Sequence, residues 1–279
     1  MKWYMILLAA TAWAAAPQRI VSTAPGFTET VYAMGAGNRL IAVSEYCHYP
    51  AAVNKLPRIG SYLKPNVEVI TRLKPDLVLI HSEQGHLVRQ FASLGIRTLA
   101  LRNTNLEETL QSMRQIGEAL GMKEAGIQLE QSIRARLHAL EQRHKGKRVG
   151  TLLFLVGRNP GRLDGMIAVG RGSFLNELIR IAGGRNILHE SPVTYPQISI
   201  ETVIRLDPDV IVDMGDMSET TSVTPQQKAA VERMWKAQKA VRAANEDRIF
   251  AVAADIFVVP GPRVIDAAEA FARMLEGAR

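Results

Sequence analysis

Four tyrosines stand outside any apolar periodicity, in stretches marked by proline or glycine. Tyr46 and Tyr49 precede Pro50, Tyr62 follows Gly60-Ser61, and Tyr195 precedes Pro196. A loop tyrosine offers a flat apolar face and a hydroxyl at low entropic cost, so these residues suit contact with a planar ligand. Bond-making chemistry is poorly served. There is no Gly-x-Ser-x-Gly elbow, Ser22, Ser82 and Ser173 have no patterned base, and the neighbours Cys47 and His48 would diverge on a strand. His81, Glu83 and His86 lie close together, but the His81–His86 spacing of five does not fit one helical face, which wants three or four. His81 therefore reads as a strand end at a cleft, His86 as a surface residue, and His48 and His189 as isolated. Gly35-Ala36-Gly37 has Leu40 where a dinucleotide fingerprint needs its third glycine, and it follows a helix instead of a strand. The glycines from Gly157 to Gly172 lack Walker spacing, and no basic stripe with interleaved aromatics suggests nucleic acid.

The elements that must position these residues alternate. Short apolar runs at 19–22, 40–43, 77–80 and 98–101 read as strands. Between them fall a helix capped by Thr28 and ended by Gly35, a helical turn over 67–73, and a helix over 83–94 ended by Gly95. Such alternation, with each strand a continuous apolar run, indicates α/β architecture with parallel sheet covered on both faces. A helix over 106–120 is broken at Gly121, a second charged helix runs to about His144, and the strand pattern restarts over 148–156.

The second half then repeats the first. Glu177 precedes Gly183-Gly184-Arg185-Asn186 as Glu29 precedes Gly35-Ala36-Gly37-Asn38. Glu201 through Pro208-Asp209 repeats Glu68 through Pro75-Asp76, and each copy runs into an apolar strand. Repetition at this distance, across one long helix, predicts two similar lobes with a ligand cleft between them.

The bulk properties agree. At 279 residues, 47% hydrophobic and 22% charged, the chain is ordinary globular material. Its formal charge of +7 is spread along the sequence, which describes a solvated surface. Met1-Lys2 followed by an apolar run from Met5 to Ala16 reads as a secretory signal peptide over 1–16, with the cut expected near Ala14. The lone Cys47 forms no internal disulfide and lies too far from the signal to carry a lipid. The expectation is a soluble periplasmic protein.

Arg19-Ile20-Val21-Ser22-Thr23-Ala24-Pro25, Tyr46-Cys47-His48-Tyr49-Pro50, Leu73-Lys74-Pro75-Asp76-Leu77, Gly183-Gly184-Arg185-Asn186 and Pro260-Gly261-Pro262-Arg263 occur in an order that resembles the helical-backbone (class III) periplasmic binding proteins. These are the substrate-binding components of ABC importers for vitamin B12, ferric siderophores and haem, and the chain is most similar to the cobalamin branch. The resemblance implies two Rossmann-like lobes with central β-sheets, at 17–121 and 147–279, joined by one long α-helix within 122–146. It implies a monomeric, non-enzymatic protein with no intrinsic cofactor, no catalytic residues and no bound metal of its own, whose partners are a small-molecule ligand and a transmembrane permease dimer. Cobalamin is the expected cargo, with Tyr46, Tyr62, Tyr195 and Phe257 as flat contacts and His81, Arg162 and Asp255 at the rim. Haem and ferric siderophores stay open, because Tyr62, His81 or His48 could meet an iron and Arg158, Arg162 and Arg263 could pair with an anionic ligand. His81, Arg162 and Ile256 stand where the cobalamin branch carries aromatics. Glu68 and Glu201 occupy the positions that dock onto permease arginines; two carboxylates on separated lobes make a two-point electrostatic register.

Overall fold

Short apolar runs punctuated by glycine and proline give two sheets, with a long helix between them in the chain. The computed structural model describes residues 16–147, 150–216 and 223–277, so the expected signal segment, apart from Ala16, lies outside the described residues. The first lobe comprises β1 (Ile20–Ser22), α1 (Pro25–Ala33), β2 (Leu40–Val43), α2 (Val67–Arg72), β3 (Leu77–His81), α3 (Gly85–Ser93), β4 (Thr98–Leu101) and α4 (Leu106–Ala119). The 22-residue α5 (Lys123–His144) leads into the second. That lobe holds β5 (Gly150–Gly157), β6 (Met166–Ala168), α6 (Phe174–Ile181), β7 (Gly184–Asn186), β8 (Gln197–Ile198), α7 (Ile200–Leu206), β9 (Val210–Asp213), α8 (Pro225–Lys236), α9 (Arg242–Asn245), β10 (Ile249–Ala251) and α10 (Val264–Glu276).

The first sheet is parallel throughout, in the order β2-β1-β3-β4. In the second, β10, β9, β5 and β7 are parallel, while β6 and β8 extend β5 in antiparallel fashion. The antiparallel edge departs from the purely parallel expectation. A short loop after β5 returns the chain at once, and a return without a crossover helix can only pair antiparallel.

Leu77 and Leu79 face one cluster with Phe27, while Val78 and Ile80 face another with Ile70 and Phe91. In β5, Leu152 and Phe154 face one side, Leu153 and Leu155 the other. Successive strand residues point to opposite faces, so a strand buried on both reads as an unbroken apolar run. The first of these clusters does not stop at the lobe boundary. It runs through Met113 of α4, Ile133 and Leu137 of α5, Leu178 of α6 and Phe271 of α10, so the lobes share one core.

The repeat is structural as well as sequential. Lys74 and Asp207, each just before the repeat proline, both take left-handed backbone, with φ of 46° and 41°. Asp76 then accepts the backbone N–H groups of Gln18 and Arg19 at 2.8 and 2.9 Å. Its counterpart Asp209 accepts the Thr151 N–H and hydroxyl at 2.7 and 2.8 Å. Each aspartate thus ties the helical turn to the start of the neighbouring parallel strand.

Two helix starts differ from the sequence reading. α1 begins at Pro25, whose fixed φ suits the first turn, and Thr28 lies inside the helix with its hydroxyl donating to Ser22 Oγ at 2.8 Å. α3 begins at Gly85 instead of 83.

The lobes meet directly at the start of α1. A Cβ on Gly26 would lie 2.1 Å from the Pro260 carbonyl oxygen, so only glycine allows this approach. Beside it, Arg263 donates to Glu29 of α1 and to Asp255, whose contacts measure 2.9 Å. On the other side of the repeat, Glu177 of α6 accepts the Leu106 N–H of α4 at 2.9 Å. Glu29 and Glu177, the matched glutamates of the two copies, therefore each reach into the opposite lobe.

Candidate ligand cleft

The loops after β2 and β3 place three rings together. Glu45 donates its N–H to Gly60 O at 3.0 Å, which fastens the Tyr46 loop to the loop carrying Tyr62. Gln84, just past β3, holds the Tyr62 carbonyl through its side-chain amide. The Tyr46 and Tyr62 ring centroids lie 6.1 Å apart in an edge arrangement, and Tyr62 lies 5.9 Å from the His81 ring. His81 in turn rests against Phe27 at 4.8 Å. The two tyrosines keep 51% and 40% of their surface open, so this array is a presented face and not core.

Tyr195 belongs to the second lobe and is 42% exposed. Burial raises its phenol above the ordinary value, the Ser173 hydroxyl opposes that rise, and Tyr62 of the first lobe adds to it. Leu63, beside Tyr62, and Val193, two residues before Tyr195, are 66% and 54% exposed. The sequence reading passed over both. An apolar residue within two positions of a tyrosine in a glycine- or proline-marked loop was the signal available.

Other expected contacts are committed elsewhere. Phe257 is 3% exposed and packs on Phe154 and Phe271 with centroids 5.6 and 5.2 Å away, so it is core and offers no ring to a ligand. The 3-10 turn Asp255–Phe257 rotates its ring inward. Asp255 is engaged by Arg263, which also stacks 4.1 Å above the Tyr49 ring. Burial works against the Arg263 charge, but Glu29 and Asp255 outweigh it and hold the guanidinium above its ordinary value. Arg158 is buried against Asp213 at 2.9 Å, and exposed Arg162 pairs with Asp164 at 2.6 Å. Arg158 and Arg263 are thus committed to buried carboxylates, while the Arg162 pair is exposed to solvent. Among the described residues no cluster of His, Cys, Asp and Glu could hold a metal ion.

Burial holds His81 below its ordinary value of 6.5, with Glu83 pulling weakly the other way. The folded protein then resists a proton that the unfolded chain accepts, so stability should fall as pH drops below about 6.5 and level off below the folded value. Urea midpoints measured from about pH 7.5 to 5 should show this slope, and His81→Gln should flatten it. An unchanged slope in the variant would assign the effect to other groups.

Glu68 and Glu201 lie on α2 and α7, away from the tyrosines in sequence and on different lobes. Glu68 is 79% exposed, with Arg72 one turn on at 3.2 Å. Glu201 is fully exposed, and the Ser199 hydroxyl together with its own N–H holds its carboxyl below the usual carboxylate range.

Comparison with known proteins supports this architecture. Residues 20–251 match the family model described as periplasmic binding protein. The vitamin B12-binding protein of Vibrio cholerae serotype O1 is 31% identical over 256 residues, covering 90% of this chain and 87% of that protein. The crystal structure of the periplasmic vitamin B12-binding protein BtuF of Vibrio cholerae superposes with a TM-score of 0.78 at 28% identity, covering 95% of this chain and 99% of that one. The heme-binding protein RhuT from Roseiflexus sp. RS-1 gives 0.79 at 23% identity over 94% and 99% of the two chains, a likeness of fold alone. No helix among the described residues is long and apolar enough to cross a membrane. The chain belongs to the periplasmic binding protein family, as a substrate-binding protein of an ABC importer and not an enzyme.

Proposed function

We propose that this chain captures a corrinoid, cobalamin in the first instance, between its lobes and delivers it to a membrane permease. The lobes are taken as 17–121 and 147–279, bridged by the helix within 122–146. In this reading the segment 1–16 directs export, and the protein works as a periplasmic monomer. The observation that carries the ligand assignment is an uncharged face of Tyr46, Tyr62 and His81, with the part-exposed Tyr195 on the other lobe, in a protein whose Arg158 and Arg263 are spent on its own carboxylates. A large, flat cargo with neutral substituents matches such a face better than one carrying free carboxylates. The B12-binding relatives support the same choice. Tyr46, Tyr62, His81 and Tyr195 form the contact set, with Arg162 at the rim through its exposed guanidinium.

A second reading, haem, draws on His81 itself. Burial favours the neutral imidazole, and the ring has no hydrogen-bond partner among the described residues, so a nitrogen is available to an iron.

Calorimetric titration with cyanocobalamin and, separately, with hemin decides between them. Stoichiometric heat with cyanocobalamin is the expected result, and Tyr62→Ala combined with Tyr195→Ala should weaken it roughly 10- to 100-fold. Heat with hemin alone, lost in His81→Ala, would replace the corrinoid by haem.

A further inference from the structure

Tyr62 sits at the tip of a short turn that is closed at its base. Asn66 N–H donates to Ile59 O at 2.7 Å, Gly60 bridges to Pro65 in antiparallel fashion, and Lys64 N–H donates to Ser61 Oγ at 3.1 Å. Gly60 takes left-handed backbone at φ 85°, and a Cβ there would lie 2.8 Å from Lys64 O. These bonds flank Tyr62 and Leu63 without engaging either, and both residues stand exposed. Exposed tips held only at their base are where loops move most. A ring that must meet a ligand there needs a further hold.

Gln84, just past β3 and 9% exposed, supplies it. Its Nε2 donates to the Tyr62 carbonyl at 2.5 Å. Its backbone N–H donates to His81 O at 3.0 Å, and its own carbonyl accepts from Leu87 and Val88 N–H at 2.9 and 3.2 Å. Leu87 packs with Ile80 and Phe91, so Gln84 is fixed to the strand end and to the helix start alike. One residue thus bonds the main chain of two ring bearers, Tyr62 and His81, whose rings lie 5.9 Å apart. The grip has a cost. A carbonyl can only accept, so the nitrogen end of the amide must face Tyr62. Gln84 Oε1 is then buried with no hydrogen-bond partner among the described residues. A buried acceptor without a donor destabilises the fold, and such conflicts are kept where a site needs them.

We propose that Gln84 is a positioning residue for the ligand face, which sets Tyr62 against His81 and lowers fold stability in doing so. Its side chain acts through the Tyr62 backbone and not on the cargo. A released tip would let the Tyr62 ring sample orientations that binding must then freeze out, and that ordering weakens affinity. An apolar side chain of similar length would remove the orphan oxygen and release the tip together. Stability and affinity should therefore move in opposite directions, whereas a residue serving the fold alone would not separate them. This role rests on the Tyr46, Tyr62 and His81 array being the cargo site, for a corrinoid and for haem alike.

Gln84→Met makes that exchange. Its urea midpoint should equal or exceed that of the wild type, while the Kd for cyanocobalamin rises roughly tenfold. Gln84→Ala, which lacks the donor and adds no bulk, should lose affinity by a similar factor. In a Tyr62→Ala background, Gln84→Met should change Kd by less than about twofold, because the ring it positions is gone. Ring position can also be read without ligand. With labelled tyrosine and histidine, the nuclear Overhauser contact between the Tyr62 and His81 rings is assigned by its absence in Tyr62→Ala. It should be strong in the wild type and weak in Gln84→Met. Unchanged affinity in Gln84→Met, an equal loss in the Tyr62→Ala background, or an unchanged ring contact would overturn the role. If hemin binds in place of cyanocobalamin, the same comparison is made with hemin, and only the corrinoid reading fails. If the wild type takes neither, the cargo site itself falls, and a ring contact weakened in Gln84→Met would show a loop tie and no ligand face.

Discussion

Arg263→Ala should destabilise the protein by about 3–5 kcal/mol, the cost of removing one partner from a buried ion pair. The guanidinium is 15% exposed and serves two carboxylates at once, Glu29 from the first lobe at 3% exposure and Asp255 at 19%. Its removal strands the Glu29 charge inside the lobe contact and empties the face of Tyr49. The loss should appear as a fall in Tm on the order of 10 °C. Two controls separate charge from packing. Glu29→Gln in the Arg263→Ala background should recover part of the loss, because no bare carboxylate remains buried. Arg263→Met with Glu29→Leu should come closer still to wild type, since apolar replacement of a buried pair is often nearly neutral. A loss under about 1 kcal/mol for Arg263→Ala would mean that water reaches Glu29 and that the pair does not join the lobes. The sequence reading offered Arg263 to an anionic ligand; its position makes it an internal tie.

That reversal shows what the sequence could and could not tell. Two-sided strands such as 77–80 were legible because apolar continuity is a local property of the chain. So was the repeat around Glu68 and Glu201, whose left-handed residue, proline and aspartate each have a local geometric duty at Lys74-Pro75-Asp76 and Asp207-Pro208-Asp209. The exposed loop positions of Tyr46, Tyr62 and Tyr195 were legible because glycine and proline mark their loops. Glu29 and Arg263 are 234 positions apart, and nothing in a local pattern announces a partner at that range. Phe257 misled for a related reason: a phenylalanine in a loop faces ligand or core according to one short turn, and packing against Phe154 and Phe271 decided it. Asp213 closes β9, and only the folded chain shows it collecting Arg158, Gly215 and Trp235 into one buried network.

Removing both exposed glutamates, Glu68→Ala with Glu201→Ala, should leave cyanocobalamin affinity within about twofold and reduce stimulation of the cognate permease ATPase more than tenfold. The asymmetry of outcome follows from position. Neither carboxylate touches the tyrosine array, and both are open to solvent on helical turns that the repeat builds alike. Their separation is fixed because the lobes share a core and are tied at Glu29–Arg263 and at Glu177–Leu106. A rigid pair of charges can engage two basic sites together, and the second contact then forms at high effective concentration. Single substitutions should therefore each lose much of the coupling, with the residual interaction strongly weakened by salt. Asp at either position keeps the charge and should keep most of the stimulation. The Ser199 hydroxyl holds the Glu201 carboxyl low, so its contribution should persist through mildly acidic pH. If the double variant stimulates the ATPase as wild type does, Glu68 and Glu201 are only first-turn residues favoured by their helix dipoles. The duplicated motif would then serve the strand ties of Asp76 and Asp209 and nothing beyond the fold.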